Sequence, residues 1–119
     1  MARSRLLVLA AVIVIFLALG GFLVARSIGG GGRTITIDVA VAGSTMSPAA
    51  PSARLGDRVM MTISADRAEE IHLHGYDIPF EVPTAGGKIT HTFTADKTGD
   101  FPMEIEQGAT PLGNFRVSP

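Results

Sequence analysis

A chain of 119 residues with no cysteine has room for one small domain, and it excludes disulfides, thiolate metal sites, a cysteine nucleophile and a lipobox-type lipid anchor. Its charge is unevenly placed: residues 1–32 carry Arg3, Arg5 and Arg26 and no acid, while the rest carries all eleven acids against seven Lys/Arg, a net charge of about −4. Phosphate binding needs a basic patch, so nucleic acid is not an expected partner, and without cross-links the domain must be stabilised by its apolar core.

Residues 1–5 read as a short cytoplasmic N-terminus. Leu6 to Ala25 is an unbroken run of apolar residues and glycine, 20 residues long. At ~1.5 Å rise per residue it matches the ~30 Å hydrocarbon thickness of a bilayer, which predicts a transmembrane helix over 6–25. Arg3 and Arg5 ahead of it orient the N-terminus inward and the remainder outward. The expectation is a single-pass cell-membrane protein whose C-terminal domain is extracytoplasmic, periplasmic or extracellular. Cleavage as a signal peptide is the rival, and it would release a secreted domain. Signal-peptide apolar regions run ~7–15 residues and end at a small-x-small site, for which Leu23-Val24-Ala25 is a poor substitute. Gly29 to Gly32 make residues 26–33 a flexible linker. That run lacks the Lys-Ser/Thr ending of a P-loop.

From Thr34 onward the period changes to two. Ile35, Ile37, Val39 and Val41 share one face of a first strand. Gly43 to Ser52 reads as turns. Val59 to Ser64 is a second strand, in which the adjacent Met60 and Met61 face opposite ways. Glu70-Ile-His-Leu-His follows and ends at Gly75. Ile78 to Val82, Lys88 to Thr94, Phe101 to Glu106 and Asn114 to Val117 complete the strands, with Gly108 to Gly113 as a loop. About seven short strands with turn signals every ~8–12 residues predict an all-β domain over 34–119, a Greek-key β-sandwich or barrel.

Three stretches resemble the cupredoxin family. Met46 to Val59, with its Gly-Asp-x-Val ending, is similar to that family's approach to an early core strand. Glu70-Ile-His-Leu-His-Gly sits where cupredoxins place their first histidine ligand. Thr92-Phe-Thr-Ala-Asp-Lys-Thr-Gly-Asp-Phe looks like the segment leading to the ligand loop. The resemblance implies copper held by histidine, cysteine, histidine and often methionine. It puts the cysteine at Ile105, give or take one residue, the second histidine within Gln107 to Thr110, and the methionine at Pro111. None of these residues can ligate as required. A blue-copper electron-transfer site depends on the thiolate, so that chemistry is excluded while the fold can persist.

His72 and His74, two apart on a strand, project to one face and are the candidate metal ligands, with Met103 as a third. Copper is the candidate cofactor. His91, Met46, Glu104 and Glu106 are further candidates. Against this stands a second expectation: the histidines are an exposed pair satisfied by Glu69, Glu70 or Asp77. In that case the domain is a metal-free module docking on a membrane or secreted protein through Tyr76 and the Ile78-Pro79-Phe80 segment. A third is pH sensing by the paired imidazoles. His-x-His-Gly is also similar to a string in multicopper oxidases, but the further histidines those enzymes need are absent. No catalytic triad appears either, so the chain is not expected to be an enzyme.

Overall fold

The computed structural model describes residues 32–119. The expected membrane segment and all but the last two linker residues lie outside that range. Among the described residues no helix is long and apolar enough to cross a membrane.

Among the described residues nine strands form in chain order: β1 (Thr34–Ala42), β2 (Thr45–Ser47), β3 (Ser52–Arg54), β4 (Arg58–Ala65), β5 (Glu69–Leu73), β6 (Ile78–Val82), β7 (Lys88–Thr94), β8 (Gly99–Ile105) and β9 (Thr110–Ser118). They make two sheets, ordered β2-β1-β4-β7 and β3-β9-β8-β5-β6. The pairs β1–β4 and β3–β9 are parallel, and the other ladders are antiparallel.

The core follows from the alternation. Val59, Met61 and Ile63 of β4 turn inward to meet Ile71 and Leu73 of β5, Phe80 of β6, Met103 of β8 and Phe115 of β9, all fully buried. Each such side chain contributes about 1.5–3 kcal/mol relative to exposure. Met60, one residue from Met61, is 40% exposed, as period two requires.

Two stretches differ from the sequence expectation. The segment read as turns contains β2 and β3, which are three residues each and too short to show a period. They form because β1 and β9 offer open edges for them to pair with. The segment read as a loop up to Gly113 is strand from Thr110 onward. Pro111 is tolerated there because it pairs with Glu104 on one side only, β3 reaching no further along β9 than Arg116.

Candidate metal centre

Glu69, Ile71 and Leu73 are the inward positions of β5, which leaves Glu70 and His72 on the outer face. The partner strand has the same rhythm. In the β5–β8 register Ile71 faces Ile105, His72 faces Glu104 and Leu73 faces Met103. The Glu106 N–H then donates to the Glu70 carbonyl at 2.8 Å and carries the pairing one step further. Two Glu-x-His and Glu-x-Glu stretches therefore meet side by side. His74 follows in the turn, where its N–H donates to Pro102 O at 2.9 Å. The next residue, Gly75, has φ +83° and the Phe101 ring lies directly against it, so only glycine fits.

The two imidazoles stand with ring centroids 4.7 Å apart, tilted by 48°. His72 is hemmed in by carboxylates. Its Nδ1 lies 3.8 Å from Glu106 Oε1 and 4.0 Å from Glu70 Oε2, and its Nε2 forms a 3.1 Å hydrogen bond with Asp77 Oδ1. Ligand atoms of Glu70, His72 and Glu106 all lie within 4.8 Å of one another. One nitrogen and two oxygens are a donor set that suits a divalent ion held at ~2.0–2.2 Å. His74 Nε2 lies 3.0 Å from Glu104 Oε2 but is not aligned for a hydrogen bond, so that nitrogen has none.

The structure brings His72 and His74 together and adds Glu104 and Glu106, both named as candidates from the sequence. It does not bring Met103 to them. Met103 sits opposite Leu73 on the inner face of the sheet, fully buried in the core. The alternation of β8 sends Phe101 and Met103 inward and Glu104 outward. Met46 is likewise core, buried in β2. His91 faces Met61 across the other sheet and stands edge-on to Phe80 at 4.9 Å. Glu70 and Asp77 were legible only as partners of the histidines. Spacing of two between Glu70 and His72 was the available signal for a shared face, but nothing in the sequence announces that β5 and β8 are neighbours.

The residues at the copper-ligand positions implied by the family likeness lie elsewhere. Ile105, Gln107 and Thr110 line a cleft of about 410 Å³ together with Gly43, Ser44, Arg67, Ala68 and Glu69. It offers no imidazole, thiolate or thioether, so a blue-copper ion does not fit this chain. Its buried feature is Glu69, whose side chain is 4% exposed and whose Oε2 accepts no hydrogen bond; Arg67 Nε stands 4.0 Å from Oε1. Burial pushes the Glu69 carboxyl above its ordinary 4.5, Arg67 pulls it part of the way back, and Asp66 adds to the rise. The folded state therefore holds this proton to higher pH than the unfolded chain does. Stability falls as pH rises from the unfolded value through the folded one. Glu69→Gln is expected to flatten that part of a thermal-melting profile taken from pH 4 to 8 and to melt higher than the parent at neutral pH. A parent profile that rises over the same interval and is unchanged in the variant would contradict this.

The docking patch expected from the sequence also changes. Phe80 is fully buried and unavailable to a partner. Tyr76 is held by its own chain: its hydroxyl donates to Lys97 O at 2.7 Å and accepts from Lys97 N at 3.0 Å, and its ring packs on Phe93, Phe101 and Phe115.

No protein-family model matches the sequence, and no curated protein matches it. Solved structures match the fold. The metal-binding domain of the Streptococcus pneumoniae D39 Cu(I)-exporting P-type ATPase CopA, determined with Cu(I), has a TM-score of 0.61 at 16% identity, over 78% of this chain and 92% of that one. A chain of a heme-copper terminal oxidase dimer gives 0.60 at 14% identity, over 84% of this chain and 74% of that one. Laccase from Botrytis aclada gives 0.58 at 17% identity; the match covers 74% of this chain but only 23% of the laccase. The fold is cupredoxin-like.

Proposed function

We propose that this chain is a membrane-anchored, extracytoplasmic cupredoxin-like module that binds a transition-metal ion, copper foremost, through the outer-face group centred on His72. It is a binding module rather than an enzyme or a blue-copper electron carrier. The observation that carries the reading is the convergence of Glu70, His72 and Glu106 ligand atoms within 4.8 Å, with the His74 ring beside them. Copper is supported by structural neighbours that bind it, the metal-binding domain of the Cu(I)-exporting ATPase and a copper-binding protein solved in its apo form among them. The anchor and the location rest on residues 6–25 and on Arg3 and Arg5. Calorimetric titration of the full chain in detergent micelles tests it: one ion per chain is expected, and an isotherm without saturable binding of copper or zinc refutes it.

A further inference from the structure

The outer face fixes more than the presence of a metal. Every donor it presents is nitrogen or oxygen. Among the described residues the sulfurs of Met46, Met61 and Met103 are sealed in the core, and the half-exposed Met60 stands on β4 of the other sheet. Imidazole and carboxylate select borderline divalent ions, whereas Cu(I) is held best by thioether and thiolate. The two carboxylates at His72 Nδ1, Glu70 and Glu106, also match the charge of a dication.

Asp77 bears on how the ion is held. A carboxylate oxygen accepts, so in the neutral ring the 3.1 Å hydrogen bond between Asp77 Oδ1 and His72 favours the tautomer with its proton on Nε2. In that tautomer the lone pair is on Nδ1, the nitrogen that faces Glu70 and Glu106. A carboxylate behind a ligating histidine fixes its tautomer and strengthens it as a donor. Asp77 makes this bond from left-handed backbone, with φ 57°, in the turn after Gly75. Aspartate is among the few non-glycine residues that tolerate such a conformation.

Building on the metal-binding reading, we infer that the site takes a divalent ion, Cu(II) or Zn(II), in preference to Cu(I), on His72 Nδ1, Glu70 and Glu106, and that Asp77 is the positioning residue that presents Nδ1. Cu(II) binds tightest, as the order of divalent affinities requires.

The experiment has two readouts on the full chain in detergent. The first needs no metal: long-range ¹H–¹⁵N spectra of the histidine rings. His72 is expected as the Nε2–H tautomer in the parent and as a tautomer mixture in Asp77→Gly, which removes the carboxylate without straining the backbone. The second is affinity for Cu(II), Zn(II) and Cu(I), the last supplied anaerobically in competition with a chelator. Asp77→Gly should weaken Cu(II) and Zn(II) by about 10–100-fold, and Asp77→Asn, which keeps an acceptor oxygen, should recover part of the loss. An Nδ1–H tautomer in the parent, or a spectrum unmoved by Asp77→Gly, overturns the role of Asp77. Cu(I) bound more tightly than Cu(II) and Zn(II) overturns the metal class. Binding of none of the three ions overturns the metal reading itself. The tautomer is recorded without metal, so that failure is distinct from a failure of Asp77.

Discussion

His72→Ala is expected to lower metal affinity by more than about 100-fold, since even an outer partner of a ligating histidine is worth ~10–100-fold and His72 is the ligand itself. Among the described residues its nitrogen is the one that faces both Glu70 and Glu106, and without it two carboxylates remain to hold an ion in water. The fold should survive, because His72 lies on the outer face and its neighbours in the core are Ile71 and Leu73. The melting temperature should shift by no more than about 5 °C, the scale of a 1 kcal/mol change in a domain of this size. Met103→Leu is the matching control. It keeps the buried volume and removes the thioether, and affinity should not change. A parent-like affinity in His72→Ala, or a loss in Met103→Leu, would place the ion elsewhere.

Phe80→Ala should act in the opposite way, on stability rather than on binding. Phe80 is fully buried on the inner face of β6, with His91 edge-on against its ring at 4.9 Å. Truncating a buried phenylalanine costs about 3–5 kcal/mol through lost transfer energy and the cavity left behind. A domain of this kind has only ~5–15 kcal/mol in total. With no cysteine there is no disulfide to hold the unfolded chain together. Urea denaturation should show a midpoint lowered by roughly a fifth or more. A variant with the parent's midpoint that fails only to bind a protein partner would restore Phe80 to the docking role expected from the sequence.

Much of the architecture could be read directly. Strict alternation in Thr34 to Val41, Val59 to Ser64 and Lys88 to Thr94 marks strands because one face of each must be apolar. The sheet order could not be read this way. β1 pairs with β4 in parallel and β5 lies between β6 and β8, and such non-local choices leave no periodic trace. The site shows the same division. His72 and His74 were visible because spacing of two puts them on one face. Glu104 and Glu106 converge on them only through the β5–β8 register, whereas Glu70 shares the strand of His72. Met103 illustrates the limit most clearly. Its sequence position beside the missing thiolate suggested a ligand, and one step of alternation decides between solvent and core. The sheet buries it against the face where Leu73 lies, and the histidines stay outside.

The chain has three histidines, and two of them belong to the proposed centre. Their ring resonances, followed while Zn(II) is added to the labelled full chain, report where the ion sits. His72 should shift first and most, saturating near one equivalent with His74 following, while His91, packed against Phe80, stays in place. Unmoved His72 and His74 signals at saturating zinc, or a leading response from His91, would contradict the outer-face metal centre.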